Sequence, residues 1–185
     1  ANPPGVSTEL QAKSLEAIAK LNRHRLQSLQ DPEIASRIAS YELAFRMQMS
    51  IPELLDFRDE PEHILDLYGT RGADGTFAAN CLMARRLAER GVRFIQLYHQ
   101  DWDHHGGILS SLPKRCGEVD RPSAALVQDL ARRGMLDSTL VHWGGEIGRL
   151  PVCEGTLDDK SGRDHNGQGF SIWLAGGGIR PGMTY

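Results

Sequence analysis

Apolar residues recur at helical spacing through the first ~70 residues, which predicts a helical N-terminal part. The sequence Thr8-Glu9-Leu10-Gln11 fits a capping box, so a first helix is expected to begin at Thr8. A second helix is expected at Asp31-Pro32-Glu33, where Asp31 suits the N-cap and Pro32 the first turn. We expect one face of this helix to pack against other residues rather than bind a ligand, and it comprises Ile34, Ile38, Tyr41 and Phe45.

Proline and glycine divide the stretch that follows. Pro52 and Pro61 are expected to interrupt it. Gly69 suits the C-cap of a short helix over Glu62–Tyr68, because glycine adopts the left-handed backbone conformation of a helix end. A longer helix is predicted from about Thr76 to Arg90.

The pattern changes after Gly91. Val92–Tyr98 and Thr139–Trp143 are typical of strands, and the helical segment Pro122–Arg133 lies between them. Such an order predicts a β-α-β unit with parallel strands and a right-handed crossover. A further strand is expected at Phe170–Leu174, so the fold class predicted is α/β.

The length and the charge of the chain limit the classes of protein to which it can belong. A chain of 185 residues fits one domain, expected to span residues 1–185, mainly helical over 1–75 and α/β over 76–185. The 21 Lys and Arg residues are outnumbered by 24 Asp and Glu residues and form no long basic run, which argues against a nucleic-acid binder. No apolar stretch approaches the ~20 residues that a membrane span needs.

Candidate metal ligands follow the first predicted strand and precede the last. In Asp103-His104-His105, alternate side chains of an extended chain point the same way, so Asp103 and His105 can reach one cation. Asp164-His165 offers a second pair of oxygen and nitrogen donors, which suits zinc, manganese or iron. His-rich loops are also commonly just solvated, so a structural α/β domain with incidental histidines is the alternative.

A glycine-rich turn, residues 144–149, follows the second predicted strand. Its Arg149 suits a tetrahedral anion, although a glycine-rich turn with a surface salt bridge is an equally simple interpretation. The connection Leu150–Gly169 is long for a loop, which favours a functional role. Ligands bind beyond the carboxyl ends of strands in open α/β sheets. We therefore expect four side chains to converge in space: Asp103, His105, Glu146 and His165.

Several enzyme classes lack their motifs here. The chain has no G-x-S-x-G, G-x-G-x-x-G or P-loop sequence, which argues against α/β-type serine hydrolases, dinucleotide enzymes and Walker-type nucleotidases. Asp103-His104-His105 matches the tripeptide of Asp-His-His phosphoesterases, but the earlier Asp-x-Asp strand motif of that class is missing.

Motifs along nearly the whole chain resemble the bacterial domain-of-unknown-function 1501 family. They are Phe77–Leu82, Ala84–Phe94, Trp102–Gly106, Thr139–Val141, Gly145–Arg149, Gly162–His165 and Trp173–Gly178. That family is similar to sulfatases and alkaline phosphatases. The resemblance therefore implies an alkaline-phosphatase-like α/β/α sandwich and a metal-assisted hydrolase of sulfate or phosphate esters, on a small-molecule or glycan substrate.

The resemblance also implies residue roles. Asp103 and His105 correspond to one ligand pair, and His165 to the later ligand histidine. Glu146 stands where the superfamily places an acidic ligand, usually within an Asp-His pair, so the number of metal ions is left open. Zinc or manganese is the expected cation, with calcium as a further choice, and Arg149 is the candidate anion clamp.

Family members are longer, with an upstream Gly-rich motif containing an Asp and often a twin-arginine export signal. The resemblance implies that this chain is the C-terminal portion of an exported protein, without the upstream acidic ligand and the nucleophile. Little hydrolysis by the chain itself is then expected. The alternative is a non-catalytic sulfatase-like module that binds an anionic ligand such as a sulfated glycan.

Overall fold

The structure is a computed structural model that describes residues 5–29 and 32–184. The chain forms two compact units that divide between residues 53 and 54, and each is described by itself. The described residues contain five α-helices, one short 3-10 helix over Leu136–Ser138 and two small two-stranded sheets. The protein is therefore a mixed α/β protein. No helix within the described ranges is both long enough and apolar enough to cross a membrane.

The first unit is built from helix α1, Thr8–Leu29, and most of helix α2, Pro32–Leu55. Ser7 caps α1, because its Oγ accepts the Leu10 backbone N–H at 3.1 Å. The cap is thus one residue earlier than the capping box predicted at Thr8. Pro32 begins α2 as predicted, whereas Asp31 lies outside the described residues.

Two expectations for α2 are wrong. Pro52 does not interrupt the helix, which continues to Leu55; a proline removes one N–H donor, and so near a helix end it costs only one of the last hydrogen bonds. Tyr41, predicted to pack, is 63% exposed. Ile38 is half-buried, and the side chains of Ile34 and Phe45 lie outside the described part. Helical periodicity therefore predicts the helix, whereas of the two face residues whose side chains the structure describes, one is half-buried and one is exposed.

The second unit contains α3, Glu62–Tyr68, and α4, Phe77–Glu89, close to their predicted bounds. Gly69 caps α3 with a left-handed backbone (φ 80°) and donates its N–H to the carbonyls of Leu65 and Asp66. Thr76 caps α4 by accepting the Ala79 N–H at 3.2 Å. The local signals of cap and turn therefore place both helices correctly.

Helix α5, Ile108–Arg132, is much longer than the predicted Pro122–Arg133. The predicted segment begins at Pro122, but both Pro113 and Pro122 lie inside the helix. Helices α3, α4 and α5 pack together around an apolar core. Its buried members are Phe57, Ile64, Tyr68, Ala79, Cys81, Leu82 and Ala125.

The predicted parallel β-α-β unit is wrong. Strand β1, Leu140–Gly144, pairs antiparallel with β4, Ile172–Gly176, and residues 92–98 form no strand in the described structure. A strand pattern predicts extended backbone but neither the partner nor its direction. A second antiparallel pair joins β2, Gly148–Arg149, to β3, His165–Asn166.

Candidate metal centre

Two loops that are distant in sequence meet to build the candidate site. The Arg163 N–H donates to the His104 carbonyl at 2.9 Å, and the Gly107 N–H donates to the Lys160 carbonyl at 2.9 Å. An isolated bridge pairs Gly106 with Ser161. The segment that carries Asp103 and His105 is thereby held by backbone hydrogen bonds against the loop expected to be functional.

Gly162 makes this approach possible. A Cβ atom at position 162 would lie 2.0 Å from the carbonyl carbon of His105 and 2.3 Å from the Gly106 nitrogen. Both obstacles are backbone atoms that cannot rotate away, so a side chain here would push the loops apart.

The short β2–β3 sheet brings in the remaining residues. Arg149 and His165 are direct partners in its antiparallel register, and the Leu150 N–H donates to the Asp164 carbonyl at 2.8 Å. Opposed residues of such a pair lie about 4.5–5.5 Å apart. Arg149 and His165 therefore arrive at the site together.

The loop with Asp103 is also anchored to the helices. The Trp102 Nε1–H donates to His99 Nδ1 at 3.0 Å, and His99 Nε2 lies 3.1 Å from a carboxylate oxygen of Glu118 in α5. Phe77 of α4 contacts the His99 ring edge-on, with centroids 5.4 Å apart. Both nitrogens of His99 have partners, which makes it an anchor of the loop.

Three of the predicted ligands meet at one carboxylate oxygen. Asp103 Oδ1 lies 3.0 Å from His105 Nε2 and 2.9 Å from His165 Nε2. The two imidazole rings meet edge to face with centroids 5.0 Å apart. One donor atom from each residue lies within 4.8 Å of the other two, and all three residues are exposed. We call Asp103, His105 and His165 the donor triad.

Arg149 and Glu146 adjoin the donor triad. The Arg149 guanidinium donates to Asp103 Oδ1, and to Glu146 Oε1 at 2.8 Å. Glu146 is thus joined to the site through Arg149, and it is not a member of the described donor groups. The hydrogen bond from Arg149, with a further one from His165, lowers the pKa of Asp103, which keeps its carboxylate ionised.

His105 has a second partner that the sequence did not indicate. Its Nδ1 lies 2.9 Å from Glu154 Oε2 and 4.0 Å from Asp164 Oδ1. The hydrogen bond to Glu154 and the nearby charges of Asp103 and Asp164 raise the pKa of His105. Glu154 lies in the loop Leu150–Gly169, whose length favours a functional role. Its neighbours Cys153 and Gly155 form no motif that would identify it as a site residue.

The donor triad fits a divalent cation. Zinc takes imidazole nitrogen and carboxylate oxygen at about 2.0–2.2 Å, so the ligand atoms of a tetrahedral site lie about 3.4 Å apart. Donor atoms within 4.8 Å of one another reach that arrangement by small side-chain rotations. Three protein ligands would leave a coordination position for water or a substrate oxygen, as in catalytic sites.

Comparison with known proteins gives one match. A family model described as protein of unknown function (DUF1501) matches residues 1–185. No curated protein and no solved structure matches the chain.

Proposed function

Since the chain belongs to the DUF1501 family, we propose that it provides the metal-binding part of a hydrolase of sulfate or phosphate esters, with Asp103, His105 and His165 as ligands. The observation that carries the proposal is the convergence of three donor atoms on one point, two from the loop before α5 and one from the short strand β3. Their chemistry suits zinc or manganese better than calcium, because calcium prefers all-oxygen sites.

A bound cation would supply Lewis-acid polarisation of an ester oxygen. Arg149 would contribute positive charge next to it, suited to the non-bridging oxygens of a sulfate or phosphate group. Its guanidinium now bonds to Asp103 and Glu146, and 18% of the side chain is exposed. A cation on Asp103 would compete with that hydrogen bond and free one edge of Arg149 for the substrate.

We extend the proposal to the fold. Residues 76–185 would belong to an alkaline-phosphatase-like α/β/α sandwich, in which ligand-bearing segments adjoin strand ends. The support is the position of Glu146 and Arg149 directly after β1, and of Asp164 and His165 before β4. On this proposal, the chain contributes the metal ligands and the anion-binding arginine of the site.

Calorimetric titration with zinc tests the metal site. We expect the wild type to bind zinc at about pH 7.5 and more weakly at about pH 5.5, because only neutral imidazole is a ligand. His165→Ala removes one of three ligands and is expected to abolish most of the binding. His63→Ala, which changes an exposed histidine of α3, is the control and should bind as the wild type does.

Equal heats for wild type and His165→Ala at both pH values would contradict the proposal and favour a structural α/β domain. A screen with aryl sulfates and aryl phosphates tests the second part. The chain should show little turnover by itself. Strong turnover abolished by His105→Ala would show that the chain carries the whole active site, whereas binding of inorganic sulfate with no turnover at all would favour the non-catalytic module.

A further inference from the structure

His105 belongs to the donor triad and also to a second group of exposed metal-ligating residues, His105, Glu154 and Asp164, whose donor atoms lie within 4.8 Å of one another. It can serve only one of these two groups. A neutral imidazole carries a proton on one nitrogen and a lone pair on the other. Nε2 of His105 faces Asp103, and Nδ1 faces Glu154. Which nitrogen keeps the proton decides which group can hold a cation.

The hydrogen-bond partners favour a proton on Nδ1. Asp103 Oδ1 already accepts a hydrogen bond from Arg149 and lies 2.9 Å from His165 Nε2, so its negative charge has partners without a proton from His105. Glu154 Oε2 faces His105 Nδ1 at 2.9 Å, and a carboxylate there can only accept. A proton held on Nδ1 leaves the Nε2 lone pair directed at the donor triad.

The backbone holds Glu154 in this place. Its N–H donates to the Gly162 carbonyl at 3.0 Å, and an isolated bridge pairs Glu154 with Gly162. Gly162 in turn lies against the backbone of His105. The backbone contacts of Gly162 therefore fix the positions of both the His105 imidazole and the Glu154 carboxylate that contacts it.

A second cation between His105, Glu154 and Asp164 is the competing arrangement. It is disfavoured because Asp164 Oδ1 already accepts the His165 N–H at 2.6 Å. It would also need the imidazole to bridge two cations, which requires the loss of both ring protons.

We infer that Glu154 is a positioning residue, which fixes the tautomer and orientation of His105 so that Nε2 is presented to the cation. The inference rests on the proposed metal site and adds to it a residue outside the ligand set. Metal-binding histidines generally donate their other ring N–H to such a partner, and loss of the partner weakens metal binding about 10–100-fold.

Zinc titration of three variants tests the inference. Glu154→Ala is expected to weaken zinc binding about 10–100-fold. Glu154→Gln keeps an oxygen acceptor for the Nδ1–H and should recover part of that loss. Asp159→Asn removes an exposed carboxylate from the same loop and should bind zinc as the wild type does.

Nitrogen-15 spectra of the histidine rings in metal-free protein, at a pH where the rings are neutral, give a second measurement. The His105 signals, assigned by their loss in His105→Ala, should show the Nδ1–H tautomer in the wild type and a shift towards Nε2–H in Glu154→Ala. A merely structural loop residue would not change the tautomer.

The outcomes separate the two proposals. Zinc binding by the wild type with no change in Glu154→Ala overturns the positioning role and leaves the metal site standing. If the wild type binds two zinc ions per chain and Glu154→Ala binds only one, the positioning role is overturned. Glu154 is then a ligand of a second cation. No zinc binding by the wild type overturns both.

Discussion

Two clusters of ionisable groups in the second unit differ mainly in exposure. In the helical core, the side chains of Arg85 and Asp129 are 3% and 2% exposed, with their charged atoms 3.0 Å apart. At the donor triad, Asp103 and His105 are 55% and 41% exposed at the same separation of 3.0 Å. The same distance between the paired atoms thus occurs once in the protein interior and once in contact with water.

The buried cluster balances its charges. Glu60 binds both Arg85 and Arg86, while Asp129 and Glu89 bind both Arg85 and Arg133. Tyr68 donates its hydroxyl to Asp129 at 3.2 Å, and burial together with the Asp129 charge raises the pKa of Tyr68. Three cations face three carboxylates, so the core contains no uncompensated charge among these groups.

The comparison separates stability from binding. A buried charge cannot lose its partner without a large desolvation cost, which ties the helices to one arrangement. An exposed pair is screened by water and contributes little to stability. The donor triad can therefore exchange its hydrogen bonds for a cation without endangering the fold.

Removal of a buried partner should have the largest effect. Asp129→Ala leaves three cations facing two carboxylates and should lower the free energy of unfolding by about 3–5 kcal/mol. Denaturant titration followed by circular dichroism measures it. Asp103→Asn, at the exposed cluster, is the matched control and should unfold at nearly the wild-type denaturant concentration.

Equal losses in the two variants would remove the distinction between the clusters. If Asp129→Ala fails to fold, Arg133→Lys gives a milder change. It keeps the charge but loses the paired geometry with Asp129 and Glu89, and its loss should still exceed that of Asp103→Asn.

Backbone contact, rather than ion pairing, should hold the exposed cluster together. In Gly162→Ala, the new methyl group meets the His105 backbone, so we expect a loss of about 1–3 kcal/mol of stability and a clear loss of zinc affinity. Gly167→Ala is the control, because a Cβ there meets no atom within 4 Å. Denaturation and zinc titration of both variants measure the effects, and similar results for the two would contradict this role of the backbone.

The sequence predicted those parts of the fold that depend on local signals. The C-cap residue Gly69 and the helical pattern of residues 76–90 place α3 and α4, because both signals act within a few residues of the helix. Strand pairing is not local. The antiparallel partner of β1 is β4, and no pattern within either strand specifies that choice.

The candidate site divides in the same way. Asp103, His105 and His165 were predicted from residue type and position, and the structure brings them together. Glu154 and the buried Arg85–Asp129 pair were not predicted, because each depends on tertiary contacts between segments far apart in sequence. The local sequence around a charged residue does not show whether its side chain is exposed to water or paired with an oppositely charged side chain.

Removal of the histidine charge should have the smallest effect, and its sign depends on pH. The pKa of His105 is raised in the folded chain, chiefly by the hydrogen bond to Glu154, so the folded state binds the proton more tightly than the unfolded state. The resulting stabilisation is fully present below the ordinary histidine pKa of about 6.5 and is lost as pH rises through the raised value.

In metal-free protein, His105→Gln should therefore lower stability slightly at about pH 5.5 and leave it unchanged at about pH 8.5. Denaturant titrations in the presence of a chelator measure this difference, with His63→Gln as the control. Zinc affinity should change with pH in the opposite direction, because the proton that stabilises the metal-free site competes with the cation. A loss in His105→Gln that is equal at both pH values would mean that packing of the ring, rather than its charge, stabilises the exposed cluster.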